Sequence, residues 1–323
     1  MQVKTIMALA AASLVGMAFA QDQVVDTNEA EVQPVVEEVA AAPVVEEALA
    51  PQIAESEALD EEKSQLVAAK FKLSFHSKYI NYGTVDGKDP VVKPFAEIAF
   101  FDTLYFGVNS NYHLTKGNGK RTGRGNRAGE WHLLHGVVGL RHGFDLGETL
   151  GTLTVDGNYT YEYIRRYRSD MGDTQYLNLT FALNDLWLEP SLWLERDIMA
   201  DEGTYANLEV GHTFGVCENL TLRPAVAQGL GNTQRAHGYF SRGKYAANGF
   251  DHGGLMDTTL SLTAEWALCD NLALTGSVAY YDYLLDANMR DGAREHNRTK
   301  SGGSRKYADS AQFVGILALK ASF

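Results

Sequence analysis

From residue 70 to the C-terminus, apolar and polar side chains alternate in segments of about ten residues, and this limits the fold more than any other feature. Over 152–163, Leu153, Val155, Tyr159, Tyr161 and Tyr163 share one phase, and Thr154, Asp156, Asn158, Thr160 and Glu162 the other. In 174–184, Leu177, Leu179, Phe181 and Leu183 alternate with Asn178, Thr180 and Asn184. In 204–214, Leu208, Val210 and Phe214 alternate with Asn207, Glu209 and Thr213. Period two belongs to strands, whose successive side chains point to opposite faces. No segment after residue 20 approaches the roughly 20 apolar residues that a membrane helix needs.

The spacing predicts strands near 70–80, 92–100, 104–114, 131–144, 152–164, 174–184, 186–197, 204–214, 220–229, 257–268, 272–284 and 310–323. Connections after Phe100, Phe144, Leu183, Val216 and Leu268 are short. Those at 81–91, 115–130, 167–173, 198–203, 230–256 and 285–309 are mostly longer. Short turns on one side and long loops on the other mark an outer-membrane barrel, with the short turns in the periplasm. The expected fold is therefore all-β, a transmembrane antiparallel β-barrel of about twelve strands over 70–323. An even count brings both ends of the barrel to the periplasmic side. The last strand puts Phe313, Gly315, Leu317, Leu319, Ala321 and Phe323 on its outward phase, and a terminal aromatic in that phase resembles the sorting signal of outer-membrane proteins.

The net charge of -13 comes mostly from one place. Residues 21–63 hold thirteen Asp and Glu against the single Lys63, so the barrel segment is close to neutral and nucleic acid is not an expected partner. Residues 1–20 carry Lys4, an apolar run and Ala18-Phe19-Ala20, the pattern of a cleaved signal peptide. Residues 21–69 are rich in Ala, Val, Glu and Pro and repeat Pro-Val-Val-Glu-Glu at Pro34 and Pro43. Such a segment has too little apolar surface to offset its ordering entropy and is expected to be a disordered periplasmic tail.

The stretch Ser77-Lys78-Tyr79-Ile80-Asn81-Tyr82-Gly83, followed by Asp89-Pro90-Val91-Val92-Lys93-Pro94, resembles the first hairpin of a loosely defined group of bacterial outer-membrane porins. The resemblance covers about twenty residues and implies a channel-like protein of the twelve-stranded type. Relatives commonly carry Arg where this chain has Tyr82.

If the apolar phases face lipid, the inward set comprises Lys78, Lys93, Glu97, Asn109, Asn111, Arg141, Asp156, Glu162, Glu189, Glu195, Glu209, Arg223, Glu265 and Lys320. Arg or Lys on the lipid face costs about 2–4 kcal/mol at the midplane, so these residues are expected to line a pore or pair across it. Eight strands leave an interior that side chains fill and sixteen leave a wide channel, so twelve admit either. Small inward residues favour space: Ala225, Ala227, Ser261, Thr263, Ala273, Thr275, Ser277 and Ala279. Trp187 and Trp193 are expected to point inward from the seventh strand.

The favoured expectation is a porin or narrow diffusion channel for small hydrophilic solutes, without cofactor or metal. One alternative is a non-conducting structural barrel whose acidic tail meets periplasmic partners. Another is a lipid-active barrel enzyme, but His132 and His135 fall on opposite faces and His142 and His212 near the short turns, which offers no catalytic grouping. Basic loop residues, Lys116, Lys120, Arg121, Arg124 and Arg127 and then Arg290, Arg294, Arg298, Lys300, Arg305 and Lys306, suit the phosphates of lipopolysaccharide. Cys217 and Cys269 begin two similar turns on neighbouring strands, and a disulfide between them is expected.

Overall fold

The computed structural model describes residues 66–115, 131–164, 173–241, 243–245, 247–300 and 309–323. The expected signal peptide, the acidic tail as far as residue 65, and the basic residues Lys116 to Arg127, Arg305 and Lys306 lie outside these. The first strands are β1 (Val67–His76), β2 (Tyr79–Asn81), β3 (Thr84–Gly87), β4 (Val91–Phe100), β5 (Leu104–His113), β6 (Trp131–Asp145), β7 (Thr152–Ile164) and β8 (Thr174–Leu183). They are followed by β9 (Ser191–Asp197), β10 (Thr204–Gly211), β11 (Phe214–Cys217), β12 (Leu220–Gly231), β13 (Gly254–Cys269), β14 (Leu272–Asp282) and β15 (Gln312–Ser322). Two helices, α1 (Thr233–Phe240) and α2 (Ala287–Lys300), sit in the last two long loops.

Thirteen strands form one sheet in the order β10-β9-β8-β7-β6-β5-β4-β1-β15-β14-β13-β12-β11, and β10 also pairs with β12, which closes the ring. Tyr205↔Gly231 through Gly211↔Ala225 and then Phe214↔Leu222 lie along one edge of β12, so β10 and β11 are a single stave interrupted at His212 and Thr213. The barrel thus has twelve staves, all antiparallel, as the spacing predicts. At the seam, the Phe323 amide donates to the Ala69 carbonyl at 2.9 Å and the Ala69 amide to the Phe323 carbonyl at 2.8 Å. This pairing begins β1 at Val67, three residues before the expected start.

The outward phase is apolar and exposed, with Phe71, Leu73, Phe106, Val108, Leu140, Leu177, Leu208 and Leu317 among its members. A belt of this kind, on a closed sheet whose backbone groups pair within the ring, is what a membrane's hydrocarbon core admits. Aromatic rings collect at its two edges. At the short-turn end His142 meets Phe144, and His212 meets both Trp187 and Phe214. At the long-loop end Trp131 meets Tyr163, and Tyr280 meets Phe313.

Three expectations are corrected. The seventh segment is shorter than 186–197, because β9 begins only at Ser191. Pro190 has no amide to donate, Glu189 holds a left-handed φ of 39°, and the Leu183 amide bonds the Pro190 carbonyl at 3.0 Å, so 184–190 is a turn. Trp187 therefore leaves the lumen and lies 68% exposed in the aromatic edge. In the first segment, the residues after His76 leave the wall for a separate two-stranded ribbon, β2 and β3.

The third correction concerns the cysteines, which are both free and exposed. Cys217 pairs with Leu220 of β12, whose other neighbour is Trp266 of β13, three residues short of Cys269. One strand therefore lies between the two cysteines, a separation of about 9.5 Å across two strand spacings, and disulfides need Cα atoms within about 7 Å. Mass measurement of the folded, non-reduced protein after alkylation is expected to show two modified thiols. Val108→Arg, on the lipid phase of β5, is expected to lower folding stability in lipid by about 2–4 kcal/mol. Denaturant titration in vesicles checks this, with Asn109→Arg on the inner phase costing less.

Candidate functional site: the barrel lumen and its mouth

The long loops at one end turn inward rather than away. In the ribbon β2–β3, Asn81 pairs with Thr84 across a two-residue turn of Tyr82 and Gly83, with φ of 44° and 70°. This is the twist that tight hairpins favour. A Cβ on Gly83 would lie 2.4 Å from the Asp257 Cβ, so glycine is required by conformation and by space. The ribbon packs Ile80 and Val85 against Ala279, Tyr281, Val314 and Ile316 on the inner face of β14 and β15. The small Ala279 thus makes room for an inserted segment, where the sequence suggested open space.

Each helix is started by a capping side chain. The Asn232 oxygen accepts the Arg235 amide at the head of α1, and Asp286 accepts the amides of Asn288 and Met289 at the head of α2. Burial tends to raise the Asp286 carboxyl, but hydrogen bonds from His252 and the Met289 amide outweigh it and hold the group below its usual range. Ala236, Phe240, Met289 and Ala293 then bury one face of each helix with Tyr82, Trp193, Tyr205, Phe250, Met256 and Tyr283. Asn297 of α2 accepts the Val85 amide at 2.8 Å, and the His296 ring lies 3.3 Å from Asp86, tying the helix to the ribbon.

Arg235 joins these parts. Its side chain is 1% exposed and pairs with Glu195 of β9 at 2.9 Å and with Asp201 of the β9–β10 loop at 3.2 Å. Its guanidinium lies 5.1 Å from the centre of the Tyr82 ring, and the Tyr82 hydroxyl donates to Glu195. Burial pushes that hydroxyl well above its usual range, against the pull of Arg235, so it stays protonated and remains a donor. One buried cation therefore holds α1, the ribbon and the barrel wall together.

Beside this closure a cavity of about 160 Å³ remains against the walls β1 and β4 to β9, lined by both Lys93 and Glu162. Several expected inward residues meet here. Lys93, Glu97, Asn109, Asn111, Arg141, Glu162 and Glu195 all line it. Arg141 reaches Asp156 at 2.8 Å and Glu97 at 3.4 Å and lies over the Tyr105 ring, whose hydroxyl donates to Asp156. Glu162 holds His135 at 2.5 Å, and Asn178 donates to Asn158 at 2.9 Å.

The remaining expected residues lie elsewhere. Arg223 bridges Glu209 at 2.7 Å and Glu189 at 2.8 Å near the short-turn end, Glu189 reaching in from its turn. Lys320 pairs with Glu265 at 2.8 Å. Lys78 stands in the link between β1 and β2 and donates to Gln312 at 3.4 Å. Arg290 of the last loop spends its donors on the Tyr283 and Leu284 carbonyls, and the half-exposed Arg298 pairs with Glu295 of its own helix, so both charges are engaged within their own loop. Ser74 and His76 share a hydrogen bond of 3.0 Å, but inside the barrel wall and away from lipid.

Sequence reasoning missed Arg235, Asp201 and Tyr82 as site residues, because no period marks a loop side chain. A usable signal was present: Asn232 before Thr-Gln-Arg and Asp286 before a Met289/Ala293 spacing are helix starts. Arg235→Ala leaves Glu195 buried without its cation, which typically costs about 3–5 kcal/mol. The expected result is faster proteolysis within 233–240 in a barrel that still resists unfolding in detergent, read by limited digestion and gel mobility.

No family model matches the chain, and no curated protein matches it in sequence. Among solved structures, the chain is similar to an outer membrane channel from Pseudomonas putida F1 at 10% identity and a TM-score of 0.45. That match covers 83% of this chain and 100% of the other. It is also similar to the NanC porin, at 8% identity and a TM-score of 0.43 over 78% of this chain and 98% of that one. For the KdgM porin the identity is 8% and the TM-score 0.42, over 79% and 99%.

Proposed function

We propose that the chain is an outer-membrane diffusion channel for small hydrophilic solutes, narrowed at its long-loop end by the segments that Arg235 ties together. The observation that carries this reading is a closed twelve-stave barrel with an apolar outside and charged groups inside, enclosing a cavity that lysines and carboxylates both line. Charged side chains on an inner wall are costly unless water or partners reach them. The lining role falls to Lys93, Glu97, Asn109, Arg141, Glu162 and Glu195 around the cavity, with Asp156 holding Arg141 from beside it. Glu189, Glu209 and Arg223, with Glu265, set the charge near the short-turn end, and Lys78 stands at the mouth.

This reading makes the chain a channel rather than an enzyme and gives it no cofactor. The short turns and both barrel ends then face the periplasm, the acidic tail extends there after removal of the signal peptide, and the long loops face outward. Arg294, 52% exposed in its side chain and 3.6 Å from the exposed Asp309, is a cation of α2 placed to meet lipopolysaccharide phosphate. The alternative of a non-conducting structural barrel draws support from the inward-folded loops and from the ion pairs of Arg141, Arg223 and Arg235.

Planar-bilayer recording separates the two. Wild-type protein is expected to give small, reproducible current steps, and Arg235→Ala larger or longer ones as α1 leaves the mouth. A correctly folded barrel that is silent in both forms would make the structural alternative the right one.

A further inference from the structure

Charge is not spread evenly around the inner wall. Counting along the ring from β1 through β4, β5, β6, β7 and β8, strand β9 is the sixth, so β1 and β9 stand opposite each other in a ring of twelve. Adjacent staves β15, β1 and β4 carry Lys320, Lys72 and Lys93 on the inner phase. Across the lumen, β7, β9 and β10 carry Asp156, Glu162, Glu195 and Glu209. Lys72 and Lys320 are directly in register, and Lys320 also reaches Glu265 of β13 at 2.8 Å.

The cavity spans both sectors. Lys72 and Lys93 line one side, with Glu97 on the same strand as Lys93, Glu162 and Glu195 line the other, and Asn109, Arg141 and Asn158 lie between them. Arg235 offsets Glu195, and Arg141 offsets Asp156 and reaches Glu97 at 3.4 Å, which leaves Glu162, held by His135 and approached by the Tyr176 hydroxyl at 3.5 Å, as the carboxylate across the cavity from the lysines. The space, about 160 Å³, matches one that accepts a molecule of roughly six heavy atoms. A field directed from a lysine sector to a carboxylate sector orients a solute bearing both charges, while it favours neither net sign alone.

We propose that this lumen selects small zwitterions of free amino acid size, the solute carboxylate toward Lys72 and Lys93 and its ammonium toward Glu162. The inference rests on the channel reading and names its solute class. The amide side chains of Asn109 and Asn158 supply both donors and acceptors between the two poles.

Swelling of proteoliposomes containing the full folded barrel tests this, with glycine and alanine compared with glycerol, acetate and ethylammonium. Amino acids are expected to enter about threefold or more faster than glycerol at low salt, with the difference fading at 1 M salt as the field is screened. Lys93→Met combined with Glu162→Gln is expected to bring the amino acid to glycerol ratio to one. Equal wild-type rates for amino acids and glycerol, or a preference for acetate or ethylammonium over both, would overturn the inference and leave the channel standing. Wild-type vesicles that admit no solute, with the barrel shown folded by gel mobility, would overturn the inference and the channel together.

Discussion

Every backbone amide and carbonyl inside a membrane must find a partner within the protein, and the rest of this structure depends on that demand. An open sheet would leave two unpaired edges in hydrocarbon. Here the edges meet where Ala69 and Phe323 exchange two hydrogen bonds, at the very ends of the ring. Closure also fixes the side-chain phase of the whole wall, since a slip of one residue at the seam would turn lysines to lipid and leucines to water. The alternation in each strand and the pairing at the seam therefore express the same constraint.

Closing twelve strands creates an interior that side chains of the wall alone do not fill. The chain fills part of it with its own loops. The ribbon around Tyr82 and Gly83 rests on β14 and β15, the two helices pack against it, and Arg235 joins them to Glu195 and Asp201. A buried ion pair of this kind adds little net stability, but its geometry is exacting and the loss of one partner is costly. It serves here to place loop segments in the mouth rather than to hold up the wall, which is secured by strand pairing. The charged groups that remain in view of the cavity then give the lumen its lysine and carboxylate sides.

The wall was legible in the sequence because its signal is periodic. Leu177 against Asn178, or Tyr159 against Thr160, assigns faces without knowledge of any partner, and short turns such as Cys217 to Asn219 mark one end of the barrel. The inward placement of Glu97, Arg141, Asp156, Glu162 and Glu195 followed from the same phase. What escaped was whatever depends on contacts distant in sequence. Ala279 reads as space until Ile80 and Val85 are known to lie on it, and Trp187 reads as inward until Pro190 ends the strand beyond it. The cysteines misled because similarity of two turns says nothing of the strand that separates them. Arg235 had no periodic context at all, and only its Asn232 cap hinted at a helix.

The central claim is that one phase of the wall meets lipid and the other meets water. A cysteine scan along β7, in a Cys217→Ser and Cys269→Ser background folded into vesicles, tests it with a water-soluble, membrane-impermeant thiol reagent. Asn158→Cys and Thr160→Cys are predicted to react, since both positions line the cavity, while Gly157→Cys, Tyr159→Cys and Tyr161→Cys stay unmodified in the bilayer. Labelling without alternation, or confined to the odd-numbered positions, would contradict the account.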